Sequence, residues 1–334
     1  MKNFELKKLA GGLTAMGLMA GFSCSAFAIE ACPETLDPNA DYRCVVINVG
    51  ADKNGDGNSL TAGFYELGYT GTRATSIYEP GLAVGSTVID TNIASILNSY
   101  GVAAGSNLYT SAAGVPNSVQ LNGSTPPIAN RNIDALNALA SPDDGIDPTV
   151  DTENLNQTGG WRLTYEYYLE GALGLLGPSY DSGYFNVFYD DLATVAVEND
   201  QVLRVNVTNS NLTAANLDLF GLVSFDFDGD NTNDCTTAFC QNFWNFETGS
   251  PSDWFTLVDG MGVKLAMHLD TNVSPPIPTL ASLGVTTDGE STWLVRQTNL
   301  DGSVRFNVPE PGSLALLGLG LAGLGMSLRR RKSA

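Results

Sequence analysis

Basic side chains are scarce in this chain. It has 16 Lys and Arg against 36 Asp and Glu in 334 residues, a formal net charge of −20. A surface of that sign repels phosphate backbones, which excludes nucleic acid as a partner. It suits solubility, divalent cations and neutral polysaccharides. Histidine is almost missing too, His268 being the only one. There is no G-x-S-x-G element, so serine or cysteine hydrolase chemistry lacks both its base and its nucleophile turn. In VKLAMHLD, His268 shares the polar side of an alternating strand with Lys264 and Ala266 and reads as a surface residue. Paired carboxylates can run glycoside hydrolysis, but among so many acids no pair stands out. We assign no catalytic residue and expect a non-enzymatic protein. Long apolar runs are absent from the middle of the chain and occur only at its two ends.

At the N-terminus, Lys2, Lys7 and Lys8 precede an apolar stretch, Leu9 to Cys24, and then Ala26-Phe27-Ala28. A positive start, a short apolar core and a small-x-small site make a secretory signal, cut by signal peptidase after Ala28. Residues 1–28 are the expected signal peptide and 29–308 the exported domain, with a subdivision suggested at the polar, turn-rich 141–160. At the C-terminus, Pro309-Glu310-Pro311 precedes an apolar run, 313–328, and then Arg329, Arg330, Arg331 and Lys332. At helical rise that run is about 24 Å long, just enough to span a membrane with the arginines snorkelling. The positive-inside rule keeps the arginine cluster in the cytoplasm and the domain on the far side. The two ends hold Lys2, Lys7, Lys8, Arg329, Arg330, Arg331 and Lys332, so their loss leaves the exported part more acidic still.

This tail, 309–334, resembles the PEP-CTERM sorting signal of Gram-negative bacteria. Three parts stand in its order: Val-Pro-Glu-Pro, a Gly/Leu-rich span, and an arginine cluster. The resemblance implies cleavage near Pro309-Glu310-Pro311 by exosortase, a membrane protease. It implies a transient inner-membrane anchor, followed by release to the cell surface or medium. Such proteins often occur where exopolysaccharide is made, in biofilms or flocs.

Of five cysteines, Cys24 leaves with the signal. Cys32, Cys44, Cys235 and Cys240 remain, and an even number in an exported chain points to disulfides. Proximity favours Cys32–Cys44 and Cys235–Cys240. Zinc is the rival reading, and it is weaker: there is no C-x-x-C pair, and His268 lies far along the chain.

Strand signals dominate. Arg43–Val49 is a β-branched run, and Phe64–Glu79 reads as two strands broken at Gly68 and Gly71. From Trp161 the period is two: Trp161, Leu163, Tyr165, Tyr167 and Leu169 face one way; Arg162, Thr164, Glu166, Tyr168 and Glu170 face the other. Tyr184–Asp190, Val202–Thr208, Leu217–Asp228, Val263–Leu269, Thr292–Gln297 and Val304–Val308 read as further strands. Thr91–Tyr100 is the best helix, capped by Thr91 or Asn92 and stopped by Gly101; Asn132–Ala140 is a second. The expected fold is mainly β, an antiparallel sandwich or jelly roll with one or two short helices in the first half.

Two acidic segments suit calcium, which takes hard oxygen ligands at alternate positions. In SFDFDGDNTNDC these are Asp226, Asp228, Asp230 and Asp234. The order departs from a standard loop in its early Gly229 and in Thr237 at the twelfth position. In DKNGDGN, Asp52, Asn54 and Asp56 match the first, third and fifth ligand positions and Gly57 the turn, but the twelfth residue is Gly63. A solvated acidic turn is the competing reading of each. Trp161, Trp244, Trp254 and Trp293 could form a sugar-stacking platform; core burial competes, and is adopted for Trp161. The expected role is structural or adhesive in an extracellular matrix. A carbohydrate-binding module, with polysaccharide as partner and calcium as helper, is the alternative, and a polysaccharide-active enzyme the least favoured.

Overall fold

A computed structural model describes residues 44–102, 135–137, 152–194, 200–213, 216–246, 254–260, 266–272 and 283–307. The signal peptide, Cys32 and the sorting tail lie outside the described residues. The strands are β1 (Val45–Ile47), β2 (Glu66–Tyr78), β3 (Thr87–Thr91), β4 (Ala135–Asn137), β5 (Trp161–Leu173), β6 (Pro178–Asp191), β7 (Asp200–Thr213), β8 (Asn216–Ser224), β9 (Trp244–Phe246), β10 (Ala266–Asn272), β11 (Gly284–Thr287) and β12 (Thr292–Asn307). Two short helices, α1 (Ala94–Ser99) and α2 (Ala238–Gln241), and a π-helical turn, Thr256–Gly260, complete the described elements.

Eight strands form a ring. β2, β3, β5, β6, β7, β8, β10 and β12 each pair with the next, antiparallel, and β12 returns to pair with β2. The mainly β, antiparallel class read from the sequence holds, and the ring is an up-and-down barrel. β4 and β11 attach to β2 and β12, while β1 and β9 pair separately. The strands before and after 141–160 share this ring, β3 pairing with β5 from Thr87↔Ala172 to Thr91↔Tyr168.

Alternation sorts side chains between the two faces. On β5, Trp161, Leu163, Tyr165, Tyr167 and Leu169 are buried and the residues between them are not. They meet Tyr180, Phe185, Val187 and Tyr189 of β6 and Val205 of β7 in the main core. Eight strands leave an interior that side chains can fill, and burying each such aromatic contributes about 1.5–3 kcal/mol. A smaller cluster, Ile77, Ile89, Leu97, Val102 and Val295, forms on the opposite face of β2, β3 and β12, where α1 covers it.

At that place the usual polarity is inverted. Asp90 faces the interior, where Ser76 Oγ (2.6 Å), Tyr167 OH (2.7 Å) and Tyr180 OH (3.4 Å) donate to its carboxylate. Burial raises the Asp90 pKa, against the lowering effect of those bonds and of the Arg296 charge.

The structure corrects four local expectations. Phe64–Glu79 is not a hairpin: β2 runs unbroken from Glu66 to Tyr78, held along its length by β12. Thr292–Gln297 and the described part of Val304–Val308, to Asn307, belong to one strand, and the turn-like Asp301-Gly302 absorbs a register shift instead of reversing the chain. Within Asn132–Ala140 the described residues, Ala135–Asn137, form a strand, β4, where a helix was expected. It pairs with Glu66–Gly68 of β2, a stretch that β3 does not reach. The first helix is confirmed within Thr91–Tyr100, but neither expected cap serves. Its N-cap is Ile93, and the Asn92 side chain instead bonds Tyr165 O and Tyr167 N of β5.

Candidate metal site

Two loops at one end of the barrel carry the acidic segments. The first follows β1. It is closed at its neck by the Val49 N–H donating to Ser59 O (2.9 Å) and an Asn48↔Leu60 bridge. The second follows β8 and leads into α2.

Their backbones are folded alike. In the first, Asp52 accepts from the N–H groups of Gly55 (2.6 Å) and Gly57 (2.9 Å), Asn54 from Asp56 (2.9 Å), and Asp56 from Asn58 (2.7 Å). In the second, Asp226 accepts from Gly229 (2.7 Å) and Asn231 (2.9 Å), Asp228 from Asp230 (3.0 Å), and Asp230 from Thr232 (2.7 Å). Position by position the pattern is the same. Both loops need left-handed backbone at their fourth and sixth residues. Gly55 and Gly57 supply it in one (φ 88° and 93°), Gly229 and Asn231 in the other (φ 88° and 67°). Asn tolerates that conformation better than most residues. The early glycine that looked like a departure therefore has a counterpart in Gly55.

The first, third and fifth side chains cap these N–H groups, and in the second loop the first and third also meet the ninth. Asp226, Asp228 and Asp234 each offer an oxygen within 4.8 Å of the others. Asp234, the ninth residue of its loop, is held by the Phe227 N–H donating to Oδ2 at 2.6 Å. The fourth candidate, Asp230, is not in that group: its Oδ1 takes the Thr232 hydroxyl at 2.5 Å. The ninth residue of the first loop is Leu60, so that loop offers one ligand fewer. The twelfth position is used elsewhere in the second loop, Thr237 Oγ1 capping α2 by accepting from Cys240 N.

Fixed N–H groups favour ionised carboxylates. The Gly55 and Gly57 N–H groups hold Asp52 below the usual carboxylate range; the Thr232 hydroxyl and N–H do so for Asp230. An oxygen-only, carboxylate-rich pocket of this kind fits Ca²⁺, with waters filling the remaining positions.

Distant residues brace both loops. Glu153, buried, accepts from the Lys53 N–H (2.8 Å), and Asn154 donates to Lys53 O (2.5 Å). The Lys53 ammonium pairs with Asp191 at the end of β6 (2.7 Å). No local signal could have joined Glu153 to Lys53 across such a separation. The second loop is tied by Cys235–Cys240, a disulfide formed as expected. Cys44 is disulfide-bonded as well, while Cys32 lies outside the described residues. Arg204 of β7 donates from Nη1 to Phe227 O (2.5 Å), fastening the second loop to the outer wall.

The tryptophans divide. Trp161, Trp244 and Trp254 are buried in the main core, Trp244 stacked on Trp254 with centroids 5.1 Å apart, so none of these three can meet a sugar. Trp293 lies half-buried on the outer face, its indole N–H donating to Asp288 (2.9 Å). His268 sits on β10 between Phe220 and Arg305 in register.

Among the described residues, no helix is long and apolar enough to cross a membrane. Residues 307–332 match the family model of the PEP-CTERM protein-sorting motif, so the tail is what its resemblance implied. That motif marks an exported protein, anchored transiently by its tail and processed by exosortase. No curated protein and no solved structure matches the chain.

Proposed function

We propose that the exported barrel is a structural or adhesive protein of the cell surface or extracellular matrix, without enzymatic activity, and that calcium stabilises one end of it. One observation carries the calcium part. Two separate segments build the same hydrogen-bonded cage, and in one of them three carboxylates converge. Close carboxylates repel one another, and a divalent cation relieves that repulsion. The barrel interior is occupied by its own aromatic side chains, so contacts with other molecules fall to its walls and loops. A matrix role agrees with the sorting tail and the acidic surface.

The test is a deletion strain. Cell–cell aggregation and matrix retention should fall, be restored by the wild-type gene, and be restored poorly by Asp228→Asn when calcium is present. Aggregation indistinguishable from wild type in the deletion strain would overturn the matrix role. A second reading, a carbohydrate-binding module, is favoured by the half-exposed aromatic side chains of the outer wall.

A further inference from the structure

The outer face of the barrel beside α1 carries a row of rings. Tyr100, just past α1, meets Trp293 of β12 edge to face at 4.9 Å. Both pack with Tyr168 of β5 against the small outer core. Tyr100 also lies close enough to Tyr168 to raise its pKa, though less than burial and the bond to Glu170 do. Tyr168 and its cross-strand partner Tyr184 of β6 have centroids 6.0 Å apart. The Arg204 guanidinium ends the row, 4.1 Å from the Tyr184 centroid. All four rings are neither fully buried nor fully exposed, although β5 and β6 also place tyrosines in the interior.

The row adjoins a groove. A polar depression of about 320 Å³ lies over β3, β5 and β6, lined in part by Thr87, Glu170, Ser179, Asp181 and Ser182. Register explains the junction. Glu170 pairs with Ser182 and Tyr168 with Tyr184, so ring rung and groove rung are successive rungs of one face. Glu170 belongs to both: it lines the groove and accepts the Tyr168 hydroxyl at 2.7 Å.

We propose that this face binds a neutral polysaccharide chain, with sugar rings laid on the aromatic row and their hydroxyls bonded in the groove. A pyranose has an apolar C–H face, which the electron-rich face of an aromatic ring attracts. Its hydroxyls need both donors and acceptors, and the groove supplies hydroxyls and carboxylates together. The charge selects among sugars. Glu166, Glu170, Asp181 and Asp288 surround the row and groove, with Arg204 as the cation among them. Uronate-rich or sulfated chains are repelled, and a neutral hexose polymer is not. This inference rests on the adhesive reading above and names what the protein adheres to.

Affinity electrophoresis of the exported protein through gels containing soluble β-1,3-glucan, β-1,4-glucan, mannan, galactomannan or dextran tests it, with alginate as the anionic probe. Retardation by at least one neutral polymer and none by alginate is expected. Tyr184→Ala and Trp293→Ala should each weaken that retardation at least tenfold. Glu170→Gln keeps size at an exposed position and should weaken it at least threefold with an unchanged melting temperature. It decides the matter if an aromatic variant fails to fold. Migration unaffected by every neutral polymer overturns the proposal, as does retardation that Glu170→Gln leaves intact. Preference for alginate, or a protein partner captured by the face in place of any sugar, would also overturn it. The assay is run in EDTA and in calcium. Sugar binding without a calcium effect on melting would sink only the calcium reading, and the converse would sink only this one.

Discussion

The two aspartate loops share a backbone and differ in what they can hold. Each places its first, third and fifth side chains over the same N–H groups. The second adds Asp234 at its ninth position, where the first has Leu60, and it is tied by a disulfide where the first is closed by a strand bridge. The bonds the two loops share are all local, from side chain to backbone N–H within the turn. What separates the plain turn from the candidate metal site is two further carboxylates, Asp228 in place of Asn54 and Asp234 in place of Leu60, and what keeps them in place.

The largest expected effect is that of calcium itself. Linkage gives about 2.7 kcal/mol when the ion is at a hundred times its dissociation constant, hence a rise in melting temperature of about 5–10 °C over EDTA. Asp228→Asn keeps an oxygen to accept the Asp230 N–H but removes the charge. It should abolish most of the rise and leave the melting temperature in EDTA nearly unchanged. Asn54→Ala in the first loop should leave the rise in place. If the two variants respond equally, the distinction drawn between the two loops is wrong.

Next in size is the disulfide. Cys240→Ser opens a very short loop, and the chain-entropy model assigns it about 2 kcal/mol. Calcium titrations followed by melting should show weaker affinity in this variant, because Asp234 directly precedes the bridge. An undiminished affinity would mean that the bridge serves only the fold around α2.

Smaller again is a gain. Leu60→Asp supplies the first loop with a carboxylate at its ninth position, where the second has Asp234. It should add about 1–3 °C to the calcium-dependent rise, since a new site begins weak. Calorimetry would count the added site; an unchanged stoichiometry would show that the fold of the loop does not suffice.

The smallest effect is in acid. Asp52 and Asp230 have pKa values lowered in the fold, by the N–H groups of Gly55 and Gly57 and by Thr232. Their contribution is present above the unfolded value near 3.9 and is lost as the pH falls through the folded value. Asp90 has the opposite sign. Burial raises its pKa, so the fold disfavours its ionised form, and that cost is relieved as the pH falls from the raised value towards about 3.9. Melting curves from pH 7 to 3 should therefore show a shallower acid loss for Asp52→Asn and a steeper one for Asp90→Asn. The same slope change in both would contradict the assignment.

Much of this was legible in the sequence. Alternation from Trp161 to Glu170 placed the buried and exposed faces of β5 correctly, because period-two patterning reflects burial directly. Gly68, Gly71 and Asp301-Gly302 misled, because a turn-forming residue inside a long paired strand looks locally like a hairpin. The acidic spacing of the Asp226 segment was legible, though not that Asp230 stands apart from Asp226, Asp228 and Asp234, and its likeness to the Asp52 segment was not. The match lies in which residues take left-handed backbone, and Asn231 does so where Gly57 does. The outer ring row could not be read at all, since Tyr100, Trp293, Tyr168 and Tyr184 come from separate segments joined only by the closing of the barrel.

That closing has a consequence for life at high local concentration. Exposed strand edges recruit further chains, and stacked strands make fibres. Each of the eight ring strands already has a partner on both sides. Among the described residues, the strands with a single strand partner are β1, β4, β9 and β11, none longer than four residues. Those strands are too short to template cross-β growth well, and the longer one-sided stretches, 178–183 of β6 and 207–213 of β7, are overhangs of strands paired elsewhere along their length. In the matrix role proposed above, contacts through wall side chains would compete with few full-length open edges for cross-β growth.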